Sequence, residues 1–155
     1  MARTEYTEAK MKLEAYCAYQ ERCTYEVLEK LKKFDLSDEE QNQLIHQLKQ
    51  DNFLNDLRFA RSYASGKFAI KSWGRIKIKS HLIAKHLPKD IIQEGLQEID
   101  EESYLSRLNE LAMRKAREHQ NEKNPWIKKQ KIMRYLASKG YESFLIYDVL
   151  GEEME

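Results

Sequence analysis

No aspartate or glutamate occurs between Asp56 and Asp90, a gap of 33 residues in a chain that carries 26 acidic side chains. Such a stretch cannot be neutralised by its sequence neighbours, so it either recruits acids through the fold or presents positive charge to a partner. Glycine and proline are also scarce, five and two of 155 residues. That disfavours turn-rich β structure and favours helices, and it leaves too little glycine to frame a nucleotide-binding loop. No apolar run approaches the ~18 residues that a membrane span needs. The opening Met1-Ala2-Arg3-Thr4-Glu5 leads into acidic amphipathic sequence without an apolar signal core, so a cytoplasmic protein with no membrane contact is expected. The two cysteines, Cys17 and Cys23, are six apart with no second pair or neighbouring histidine to complete a zinc site. They are expected as reduced, partly buried thiols. None of the four histidines is paired at the i, i+4 spacing of helical metal ligands. No Ser-His-Asp or Cys-His constellation can be placed together, so the chain is expected to be neither an enzyme nor the holder of a cofactor or metal.

The charge that is present is segregated. Residues 1–56 carry 8 basic and 12 acidic side chains, 57–89 carry 9 and none, 90–122 carry 4 and 9, 123–141 carry 6 and none, and 142–155 carry none and 5. The formal net charge of +1 therefore hides two acid-free segments, each able to attract phosphates or an acidic protein groove.

Helix punctuation is legible throughout. Thr24 precedes an apolar-periodic run, Ser37 with Glu40 reads as a capping box, Asn124-Pro125 places a cap and then proline at a first helical position, and Gly140 suits the residue just past a helix end. Helices fall near 7–20, 24–34, 38–50, 55–71, 73–86, 89–99, 102–120, 126–139 and 142–150, which makes the chain all-α. They group in threes. A shift of 54 positions lays Arg75, Lys77, Ile78, Leu82, Lys85 and Leu87 onto Lys129, Lys131, Ile132, Leu136, Lys139 and Tyr141, keeping both apolar and basic classes. A shift of 51 lays Val27, Leu31 and Leu36 onto Ile78, Leu82 and Leu87, but puts Glu26 and Phe34 where Lys77 and Lys85 stand. The expected organisation is three helical repeats, residues 1–53, 54–100 and 101–155, because one unit of about 50 residues buries too little surface to be robust alone. The i, i+4 pairs Val27 with Leu31, Ile78 with Leu82 and Ile132 with Leu136 are expected in the core.

The segment Phe53-Leu54-Asn55-Asp56-Leu57-Arg58-Phe59-Ala60-Arg61-Ser62-Tyr63, followed by Trp73-Gly74-Arg75-Ile76-Lys77-Ile78-Lys79-Ser80-His81-Leu82, resembles the central signature of RecX regulatory proteins. Lys131-Ile132-Met133-Arg134-Tyr135-Leu136 and the Lys139-Gly140-Tyr141 turn are similar to that family's closing segment. One departure is Leu57, where the family often has glutamate. The resemblance implies three tandem three-helix repeats forming an elongated, curved array that binds in the groove of the RecA–single-stranded DNA filament. It further implies inhibition or modulation of recombinase, ATPase and coprotease activity in recombination, DNA repair and the SOS response, with no cofactor. A monomer is expected, with single-stranded DNA reached through or alongside RecA.

Candidate contacts to the filament or to nucleic acid are Arg58, Arg61, Lys67, Lys71, Arg75, Lys77, Lys79 and Lys85 in the second repeat, and Lys128, Lys129, Lys131 and Lys139 in the third. Lys77, His81 and Lys85, at i, i+4 and i+8, are expected to form one stripe on one helix face. Trp73 and Trp126 open the second helices of two repeats and are expected as core or inter-helix anchors; a base-stacking platform would need exposed rings beside the basic stripe. Two other readings stay open on the residues alone. A helix-turn-helix DNA-binding module would use one basic helix in a groove, although lysine dominates where base-reading Asn, Gln or Arg would be wanted. The other is a helical scaffold for some other acidic partner.

Overall fold

A computed structural model describes the backbone of residues 2–154 and the side chains of residues 5–151. Among the described residues there are nine helices and no strand: α1 (Ala2–Tyr19), α2 (Thr24–Leu31), α3 (Asp38–Gln50), α4 (Asp56–Lys71), α5 (Arg75–Ala84), α6 (Lys89–Leu96), α7 (Glu101–Glu118), α8 (Pro125–Ser138) and α9 (Ser143–Met154). The all-α expectation is met, and among the described residues no helix is long and apolar enough to cross a membrane.

The helix ends follow the local chemistry. Ser37 Oγ accepts the amide of Glu40 at 3.1 Å while Glu40 Oε1 accepts that of Ser37 at 2.9 Å, the reciprocal capping box read from the sequence. Asn124 Oδ1 receives the amides of Trp126 and Ile127 ahead of Pro125, the first residue of α8. Gly140 follows the α8 cap with φ of 97°; that left-handed turn closes the helix without a Cβ penalty. The shift of 54 that relates the repeats places His86 at the corresponding turn, and His86 also has a positive φ, 60°. At α2 the sequence reading needs correcting. Cys23, not Thr24, is the capping residue. Thr24 is instead tied by Asp56, whose two carboxylate oxygens receive the Thr24 amide at 2.7 Å and its hydroxyl at 2.9 Å.

Contacts divide the chain into two units, Met1–Ser62 with Leu82–Gly95, and Tyr63–His81 with Leu96–Glu155. In the first, Ala9, Leu13, Cys17, Val27, Leu31, Leu44 and Leu48 build a buried cluster from α1, α2 and α3. Asn55 and Asp56, the polar pair of the resembling segment, are structural there: Asn55 Oδ1 accepts the amide of Arg58 at the head of α4, while Asp56 holds Thr24.

In the second unit Tyr104 is the central buried side chain. Its ring packs on Phe68 and Tyr141, with centroids 5.8 and 5.1 Å away, and Ile78, Leu108, Ile132 and Leu136 are buried in the same unit. Helix α5 has no side chain capping its first turn from its own sequence. Instead the amide of Gly74 donates to Lys139 O at 2.7 Å, that of Arg75 to the Tyr104 hydroxyl at 2.9 Å, and that of Ile76 to Gly140 O at 2.9 Å. Orphan donors at one helix start and orphan acceptors at another helix end thus satisfy each other, and the opposed partial charges of the two termini attract.

Candidate partner-binding surface

The twelve candidate cations separate by what they touch. Arg58 is bonded through Nε to Glu21 and through its other nitrogens to Asn52 Oδ1, Asn52 O and Phe53 O. Arg61 lies 3.5 Å from Glu94, and Lys85 donates to Glu26 at 3.0 Å. These three belong to the first unit. In the second, Arg75 pairs with Glu101 at 2.8 Å and stacks its guanidinium 3.9 Å from the Tyr104 ring centre. Its Nε stands 2.9 Å from Glu142 Oε2, aligned for charge contact rather than for a hydrogen bond. Lys131 pairs with Glu122 at 3.2 Å. For these five, positive charge is answered within the fold.

The expected stripe of Lys77, His81 and Lys85 is not carried through. Helix α5 ends at Ala84, so Lys85 leaves the stripe in the turn that follows and reaches Glu26. Lys77 and His81 stay together beside Trp73: the Lys77 ammonium is 4.8 Å from the indole centroid and the His81 ring 4.6 Å from it.

Among the described residues, Lys67, Lys71, Lys77, Lys79, Lys128, Lys129 and Lys139 form no ion pair with a carboxylate. Four of them converge. Lys67 reaches the Trp73 ring from α4, 5.0 Å from its centroid, and also lies 5.4 Å from that of Tyr63. Lys139, the cap of α8, turns its Nζ onto Lys71 O at 2.7 Å, a cation on the negative end of α4. Burial pushes the Lys139 ammonium below the usual lysine range, and the charges of Lys77 and Lys71 push it further the same way. Arg107 supports the same helix end, donating to Phe68 O at 3.0 Å and to Ser72 Oγ at 2.9 Å, and the Tyr141 hydroxyl donates to Ser72 O at 2.9 Å.

The repeat preserves residue class but not role. The shift of 54 equates Lys85 with Lys139, yet one pairs with Glu26 and the other caps α4. It equates Lys77 with Lys131, yet one lies over an indole and the other on Glu122. The two tryptophans also part company. Trp73 is half-buried behind its lysines, as an anchor should be, whereas Trp126 is 68% exposed, contrary to the anchor expected there. Trp126 is two residues past the α8 cap Asn124, in the first turn, where its side chain falls on the flank rather than on the face that buries Ile132 and Leu136.

Chemically, this surface can hold anionic groups and stack flat ones, and no cluster of His, Cys, Asp and Glu that could hold a metal occurs among the described residues. The class so defined is an all-helical protein, among the described residues, that presents cationic surface to a partner. The family model for the RecX second three-helix domain matches residues 55–96, and that for the RecX third three-helix domain matches residues 101–150. The chain belongs to the RecX family. It is 30% identical over 143 residues to the regulatory protein RecX of Prosthecochloris aestuarii, covering 88% of this chain and 87% of that one. It is 27% identical over 157 residues to that of Lactococcus lactis subsp. cremoris, covering 100% of this chain and 58% of the relative. Against the RecX proteins of Lactobacillus gasseri and Clostridium botulinum the chain spans 34% and 60% of the relative's length. The crystal structure of RecX from Lactobacillus salivarius superposes with a TM-score of 0.88 at 23% identity, covering 97% of each chain, and so shares the fold.

Proposed function

We propose that this chain binds the RecA–single-stranded DNA filament as a monomer and restrains recombinase, ATPase and coprotease activity by occupancy rather than by catalysis. The contact surface in this reading is Lys67 and Lys77 over Trp73, together with Lys71 and Lys139 at the end of α4, with Lys79, Lys128 and Lys129 adding charge. The observation that carries it is geometric: Lys67 and Lys77 lie over Trp73, Lys139 sits on the end of α4, and none of the three meets a carboxylate among the described residues, which leaves their charge to an anionic surface. Family membership supports the choice of partner, and the charge arrangement supports the choice of face.

Titrating the protein into a RecA ATPase assay on single-stranded DNA tests the reading. Inhibition is expected to rise with concentration, and the Lys71→Glu/Lys77→Glu variant should need about tenfold more protein for the same effect. Lys139 is left intact because it also caps α4. An ATPase rate indifferent to the wild-type protein would refute the partner. Equal inhibition by the variant would refute the surface.

A further inference from the structure

We propose that Trp126 and the lysines around it form a direct contact for single-stranded nucleic acid, one that operates without any other protein and goes beyond the filament reading.

The indole stands 68% exposed, the second residue of α8, with Ile127 beside it at 36%. Among the described residues no aromatic ring or cation packs on it, in contrast to Trp73. An exposed indole among cations is available to stack a planar group. What flanks it narrows the choice. Lys123 precedes the cap, Lys128 and Lys129 follow one turn on, and none of the three meets a carboxylate among the described residues. Lys129 lies three residues from Trp126, so its stem runs along the same flank of the helix. The start of α8 adds its own positive end, and residues 123–141 contain no acid.

An acidic protein surface would satisfy the lysines but has no use for a bare indole. An apolar pocket would take the indole but leave three ammonium groups against low dielectric. Single-stranded nucleic acid offers both parts at adjacent positions, an unstacked base for the ring and phosphodiesters for the lysines. Duplex hides its base faces and offers only the second.

The chain contains two tryptophans, so Trp73→Phe leaves Trp126 as the sole indole reporter. Its emission is to be followed while oligo(dT) is added at low salt, without RecA. Quenching that reverses on adding salt is expected. In the wild-type background Trp126→Ala should weaken oligo(dT) binding about tenfold, and Trp126→Phe should retain most of the affinity. Lys128→Ala/Lys129→Ala should lower the log–log salt slope by about 0.7 for each lysine that meets a phosphate. Should Trp73→Phe lower the melting temperature, the difference between wild-type and Trp126→Phe emission gives the same signal. Emission that ignores oligo(dT), or that answers equally to poly-glutamate, overturns the proposal, as does full affinity in Trp126→Ala. A response to RecA alone would also overturn it while leaving the filament reading standing.

Discussion

Gly74 lies so close to the backbone of Gly140 that a methyl group on it would come within 2.4 Å of the Gly140 carbonyl carbon and oxygen. The contact is what lets the carbonyls of Lys139 and Gly140 receive the amides of Gly74 and Ile76. Both partners are backbone, so neither can swing aside as a flexible side chain would.

Gly74→Ala should therefore separate α5 from the end of α8 and destabilise the protein by on the order of 2–3 kcal/mol, the usual cost of overpacking a tight contact. The urea midpoint reads this, with helicity in the folded state unchanged. Wild-type stability in the alanine variant would show that the two backbones do not meet.

Tyr104→Phe removes a hydroxyl that accepts from the Arg75 amide and donates to Glu142. Burial is the main reason that hydroxyl is pushed above the ordinary tyrosine range, with the Glu142 carboxylate adding to it. The phenylalanine variant keeps the ring contacts and leaves two half-buried groups short of a partner, a loss of about 1 kcal/mol in equilibrium unfolding.

Lys77→Glu and Lys85→Glu should behave differently although both reverse a charge on the second repeat. Lys85 faces Glu26 with side chains 27% and 19% exposed, so its reversal sets two acids against each other and should cost on the order of 2 kcal/mol. Lys77 meets no carboxylate among the described residues, and its charge opposes that of Lys139, so its reversal should leave the melting temperature unchanged or raise it. Thermal unfolding of the two single variants separates a structural cation from an available one.

Cys17 and Cys23 are both buried, and burial pushes each thiol up from 9.0 to about 11. The raised value means that the folded state holds the proton where the unfolded chain gives it up. Stability from this source is complete below pH 9 and falls as pH rises toward 11. Urea midpoints at pH 8 and pH 10 should show the decline, and it should be smaller in Cys17→Ala/Cys23→Ala. At pH 8 the native thiols should react with a disulfide reagent only slowly, becoming fast in denaturant.

Much of the scaffold can be read from the chain because its signals are local. The Ser37–Glu40 box, the Asn124-Pro125 start, the left-handed Gly140 and the i, i+4 core pairs all act within a turn or two of themselves. The surface is harder, since the carboxylates that claim Arg58, Lys85 and Arg75 come from Glu21, Glu26 and Glu142, at 37, 59 and 67 positions' remove. An acid-free window says nothing about acids that arrive through the fold. Trp126 was misjudged for a related reason: equivalence to Trp73 by position in a helix does not supply the lysines and histidine that cover Trp73.

The amides that open α5 find acceptors at Tyr104, Lys139 and Gly140, all of which are translated later than α5 itself. On the ribosome, α5 must wait with its leading edge hydrated until those later residues emerge. Early packing is open to α1, α2 and α3, whose buried cluster draws on the first part of the chain alone. A stalled nascent chain lacking residue 140 should accordingly protect the earlier helices from protease while leaving the start of α5 open to cleavage.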